Sequence, residues 1–82
     1  MPGPGGHADA IRREAAQLLK LATPSLDHET TKTRIVRAAK ALGWNFDRTR
    51  RIWFGEAARI EAHEMDQLRF YALEAAQRLA RK

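Results

Sequence analysis

The sequence predicts an all-α fold, a small domain of four helices with the longest at the end. Three observations predict it. Apolar residues recur at helical spacing within residues 9–22 and 35–42, and nowhere alternate as in a strand. Residues 56–81 contain neither glycine nor proline and are rich in Ala, Glu, Gln, Arg and Leu, a strong helix-forming composition. Chain-breaking residues fall between the periodic stretches, at Pro24, Gly43 and Gly55.

Taken in order, residues 1–7 hold Pro2, Pro4, Gly3, Gly5 and Gly6 and read as a disordered tail. The first helix follows over 9–22, with Ile11, Ala15, Leu18 and Ala22 on one face and Asp9 near its positive end. Pro24 ends it, because a proline disfavours helical geometry in the residue before it. Ser25 or Asp27 is a plausible cap for the second helix, which runs from about 29 to Leu42 with Ile35, Ala38, Ala39 and Leu42 inward. Gly43 stands where a helix end wants positive φ. The third helix covers 46–54, capped by Asn45. At 100° per residue, Phe46, Thr49, Ile52 and Trp53 span one side, and Asp47, Arg48, Arg50, Arg51 and Phe54 the other. The fourth helix covers 56–81, roughly 39 Å at 1.5 Å per residue. Met65, Leu68, Ala72, Ala75 and Leu79 repeat along it as about two heptads. That stripe suits either packing on the domain or a dimer seam. Phe70, Tyr71 and Leu73 lie off it.

A chain of 82 residues builds one core, here residues 8–82, and is small enough to be marginal alone. It has no cysteine, which excludes disulfides, thiol chemistry and Cys-ligated zinc. No apolar run approaches the length of a membrane span. The start, Met-Pro-Gly-Pro-Gly-Gly-His, has neither a basic nor an apolar stretch, so no secretory signal and a cytoplasmic location are expected. His63-Glu64 begins like a zinc-binding helix, but Gln67 stands where the second histidine is required. Ser25 is the only serine, without an evident histidine and acid partner, and no phosphate-cradling glycine loop exists. A protein with no enzymatic activity, no cofactor and no metal is expected.

The net charge of +5 is not spread out. Residues 30–55 carry Lys32, Arg34, Arg37, Lys40, Arg48, Arg50 and Arg51 against Asp47 alone, a local +6, while the flanks nearly cancel. Arginine outnumbers lysine 11 to 4, and guanidinium forks suit phosphates and guanine edges. Such a block points to a polyanionic partner.

The same segment holds the most specific pattern, from Ile35 to Trp53. Ala39 is small where two helices would cross, Gly43 is the turn glycine, and Trp44 is apolar directly after it. This resembles the helix-turn-helix of small DNA-binding proteins of bacteria and phages, over about 20 of the 82 residues. The run Arg48-Thr49-Arg50-Arg51-Ile52-Trp53 is faintly similar to the second helix of MerR-type regulators. Departures are Trp44 in place of Val or Ile, Thr49 at an aliphatic position, and one extra residue between the glycine and that threonine. The block from Ile35 to Arg69 is also similar to short proteins of alphaproteobacteria and their prophages. The resemblance implies a transcriptional regulator or prophage-type accessory factor binding duplex DNA.

The residues expected at the DNA are Lys32, Arg34, Arg37, Lys40, Asn45, Arg48, Arg50 and Arg51. Arg48, Arg50 and Arg51 would read bases or phosphates, and replacing all three by Ala should leave helicity unchanged. Asn45 would contact a phosphate or an adenine edge, and the bases of the second helix would hold phosphates. About five phosphate contacts imply a log–log salt slope near −4 to −5. RNA is a second possible partner. Trp44 and Trp53 read as core aromatics in preference to stacking platforms. The rival function is a helical protein-interaction module, with a homodimer through the last helix.

Overall fold

The computed structural model describes residues 6–81, and among these it is all-helical, with no strand. The elements are α1 (Gly6–Ala22), α2 (Thr31–Leu42), α3 (Phe46–Trp53) and α4 (Ala62–Ala80). α1 packs along α4 and against α3, and α2 packs on α3. The core joins Ala15, Leu19 and Ala22 of α1, Ile35 and Ala38 of α2, Ile52 and Trp53 of α3, and Met65, Leu68, Tyr71 and Ala75 of α4.

The helix begins earlier than expected at the first element. Gly6 and His7 already lie in α1, and residues 1–5 of the expected tail are outside the described residues. A first turn needs no internal partners for its N–H groups, so poor helix formers are tolerated there, and Asp9 complements the positive end.

The cap of α2 also differs from the expected Ser25 or Asp27. It is Thr30, whose hydroxyl accepts from the Thr33 N–H at 3.1 Å. Upstream, residues 27 and 28 turn, with His28 at φ 61°. Thr23 is fully buried beneath this connection, its hydroxyl 3.1 Å from that of Tyr71.

α2 and α3 end in the same way. Gly43 (φ 73°) and Gly55 (φ 70°) each adopt the left-handed conformation just past a helix. At the first, Trp44 N–H donates to Ala39 C=O (2.9 Å) and Gly43 N–H to Lys40 C=O (3.3 Å). At the second, Glu56 N–H donates to Arg51 C=O (2.7 Å) and Gly55 N–H to Ile52 C=O (3.1 Å). Both are Schellman ends, which satisfy carbonyls that the helix leaves orphaned. The Gly43 turn is tied to α4 as well: Trp44 Nε1–H donates to Gln67 Oε1 (3.1 Å).

The fourth helix is shorter than the sequence suggests. It begins at Ala62 and not at 56, so it spans 19 residues, about 28 Å. Residues 56–61 form a connection in spite of their helical composition. Ala57 is drawn into the core. The carbonyl of Ala58 accepts from Arg12 (3.1 Å) and that of Arg59 from Arg48 (2.6 Å). Glu61 caps α4, and Glu64 reaches back to accept the Glu61 N–H at 2.9 Å. These contacts outweigh local propensities of a few tenths of a kcal/mol per residue.

The heptad stripe of α4 is mostly a core face. Met65, Leu68 and Ala75 are buried and Ala72 partly so, with Tyr71 joining them from off the stripe. Leu79 lies beyond the core and is exposed, as are Phe70 and Leu73.

Candidate nucleic-acid interface

The basic block divides into two sets. Arg34, Arg37 and Arg48 turn inward and hold the chain together. Arg34 donates through Nε to Thr23 C=O (3.1 Å), and its guanidinium lies 4.8 Å from the centroid of the Trp53 ring. Arg37 forks onto Glu29 at 2.9 and 2.8 Å and also donates to Pro24 C=O. Arg48 forks onto Glu64 at 2.9 and 2.6 Å and reaches Arg59 C=O. The first two arginines therefore clamp the α1–α2 connection, and Arg48 clamps the α3–α4 connection.

This corrects the sequence reading of Arg48. Its guanidinium is engaged by Glu64 of α4 and by the Arg59 carbonyl, whereas Arg50 and Arg51 make only loose surface pairs. Its partner Glu64 is only 7% exposed. Removing Arg48 would strand a buried carboxylate, so a triple alanine variant cannot be expected to keep its fold. Arg34 and Arg37 are likewise committed to backbone carbonyls and to Glu29.

The electrostatics follow the geometry. Hydrogen bonds from Arg37, then the Leu26 N–H, lower the Glu29 carboxyl from its ordinary 4.5 to about 2. Hydrogen bonding from Arg48 holds the Glu64 carboxyl below its ordinary value, overcoming the opposing effect of burial. Both arginines are raised in turn, chiefly by these same bonds.

The outward set is Lys32, Lys40, Arg50 and Arg51. The two lysines are exposed and make no ion pair among the described residues. Arg50 lies 3.5 Å from Asp47 and 3.7 Å from Glu56, and Arg51 lies 3.1 Å from Asp47. Pairs this exposed contribute about 0–1 kcal/mol each, so an incoming phosphate can displace them. Asn45 is exposed and spends its side-chain oxygen on the cap, accepting the Arg48 N–H at 2.7 Å.

Other positions in the segment are structural. Thr49 is fully buried, and its hydroxyl donates to Asn45 C=O at 2.8 Å, which satisfies a polar group at the position where an aliphatic was expected. Trp53 is 3% exposed, sealed under Arg34, and Trp44 is half-buried against the core, as expected of core aromatics. Phe46, placed by the helical period on the same side as Thr49, Ile52 and Trp53, sits at the rim, and those three carry the packing.

Two further cations were not apparent from the sequence. Arg13 and Lys20 line a groove between α1 and the end of α3, together with Phe54 and Gly55. Their spacing of seven marks one face of α1, but only the tertiary fold brings α3 beside it.

Among the described residues no helix is long and apolar enough to cross a membrane, and no cluster of His, Asp or Glu is suited to hold a metal. No protein-family model, curated protein or solved structure matches the chain.

Proposed function

We propose that this protein binds duplex DNA through the outward face of α3 and the lysines of α2, as a regulatory or prophage-type accessory factor without enzymatic activity. One observation carries the reading. After Arg34, Arg37 and Arg48 are spent on internal bonds, Lys32 and Lys40 on α2 and Arg50 and Arg51 on α3 remain unpaired or only loosely paired among the described residues, on the two helices joined by the turn that Gly43, Asn45 and Trp44 fix. A helix packed on one side and cationic on the other, held at a defined angle by a short turn, is the arrangement that a helix-turn-helix offers to a major groove. Asp47 sits between the arginines and would disfavour indiscriminate phosphate binding at the centre of the face.

The test is fluorescence anisotropy with duplex DNA across a salt series. Four phosphate contacts give a log–log slope of about −3.6, shallower than the slope for all seven bases of the block. Affinity independent of salt refutes the reading, and tighter binding of a matched RNA would transfer it to RNA. A second reading, a helical interaction module, is favoured by the exposed apolar side chains Phe70, Leu73 and Leu79 of α4. It is chosen if no nucleic acid binds even at low salt while the protein self-associates.

A further inference from the structure

α4 packs on α1 and α2 packs on α3, which leaves a groove between α2 and α4. It runs from Pro24, Arg37 and Arg78 at one end to Asp66 and Phe70 at the other, with Ala41 and Tyr71 in its middle. The walls hold two of the most exposed apolar side chains described, Phe70 at 63% and Leu79 at 60%.

We infer that a second copy of this chain docks in the groove, α4 against α4 in antiparallel register, with Asp66 of each copy facing Arg78 of the other. The inference deepens the self-association of the interaction-module reading, and that self-association is open to a DNA-binding chain as well. The charge pattern selects both the occupant and the direction. Asp66, Phe70, Glu74 and Arg78 are spaced four residues apart, so they form one row along α4. A two-fold axis at the middle of this row sets Asp66 opposite Arg78 twice and Phe70 beside Glu74. A parallel pairing would set each charge against its own kind. A row that is acidic at one end and basic at the other is thus complementary to itself only when reversed, which is the condition for an isologous dimer. The side chains are available for it. Asp66 makes only a loose 3.8 Å contact with Arg69, and Arg78 makes no ion pair among the described residues. Ala41 and Ala75 keep the groove shallow-walled where a facing helix must approach.

The experiment is sedimentation velocity on the full chain, without DNA, from micromolar to several hundred micromolar protein at low salt. The wild type should show a concentration-dependent monomer–dimer equilibrium. Asp66→Arg and Arg78→Asp should each weaken the dimer about tenfold or more, since each makes two like-charge contacts per dimer. The two substitutions combined in one chain should restore the dimer to within about threefold of wild type. Circular dichroism checks that helicity is kept, as all the altered side chains are exposed. A wild type monomeric throughout overturns the inference and the interaction-module reading together. A dimer insensitive to the single swaps, or not rescued by the double, overturns the inference but leaves that reading standing on another surface.

Discussion

Arg48 and Arg50 lie two residues apart on one short helix, yet they do opposite things. Arg48 points along the edge of α3 that meets α4 and grips Glu64 with both nitrogens of its fork. Arg50 is half-buried too, but it touches Asp47 and Glu56 only loosely. The same division runs through α2, where Arg34 and Arg37 secure the preceding connection and Lys32 and Lys40 face solvent. In this segment the inward positions use guanidinium, which can serve a carboxylate and a carbonyl at once. The outward cations are two lysines and two arginines. A cluster of positive charge in a sequence is therefore two populations, and only one is available to a partner.

Arg48→Ala should have the largest effect on stability. Removing one member of a buried pair costs about 3–5 kcal/mol, and partial exposure of the arginine reduces that to about 2–3 kcal/mol here. Thermal denaturation should show a fall in Tm of about 8–24 °C, at roughly 4–8 °C per kcal/mol for a domain this size. A Tm within a few degrees of wild type would place Arg48 back among the outward cations.

Acid should expose the same contacts. Glu29, at about 2, and Glu64 both titrate below the ordinary 4.5 in the folded chain. A depressed carboxyl stabilises the fold fully above its unfolded value and loses that contribution as pH falls toward its folded value. Stability should therefore decline from about pH 4.5 downward, and the decline should be shallower in Arg48→Ala, where the Glu64 contribution is already gone. Chemical denaturation at a series of pH values measures both slopes.

A smaller effect separates backbone from side chain. Gly43 and Gly55 share positive φ, and a methyl group at either would meet nothing within 4 Å. Gly43→Ala and Gly55→Ala should each cost about 1–2 kcal/mol, from backbone strain alone. Equal losses support two equivalent helix ends, whereas a much larger loss at one would reveal packing not present in this structure.

The smallest effect on stability belongs to the outward pair. Arg50→Ala combined with Arg51→Ala should change stability by no more than about 0.5 kcal/mol. If the proposed interface is right, the same variant should lower DNA affinity and reduce the salt slope by about 1.8. Unchanged affinity would remove α3 from the interface.

Much of the fold was legible in the sequence because helices advertise themselves locally. Ala15 and Ala22 of α1, and Ile35 and Ala38 of α2, were placed inward by period alone and are buried, while Ile11 and Leu18 on the same stripe are partly buried. Gly43 was readable as a helix end, since few other residues tolerate that conformation. The start of α4 was not readable. Residues 56–61 have helical composition, and what holds them out of the helix comes from Arg12 and Arg48, 46 and 11 residues from the carbonyls they bind. Of the eight residues expected at the interface, Lys32, Lys40 and Arg51 are exposed cations, Arg50 is a half-buried cation held only by loose ion pairs, Asn45 is a cap, and three arginines are staples. Charge alone could not tell these apart, because the acids that claim Arg37 and Arg48 lie 8 and 16 residues away.

By itself, the sequence determined an all-helical chain, its glycine-marked turn and the concentration of positive charge between residues 30 and 55. These depend on periodicity, backbone freedom and composition, which act over a few residues. Which of those charges are tied into internal bonds, where the last helix begins and which apolar side chains of α4 remain uncovered were set by packing across the fold. Those outcomes depend on what each side chain meets across the fold, and a guanidinium that finds a buried carboxylate and an open carbonyl is held there in preference to water.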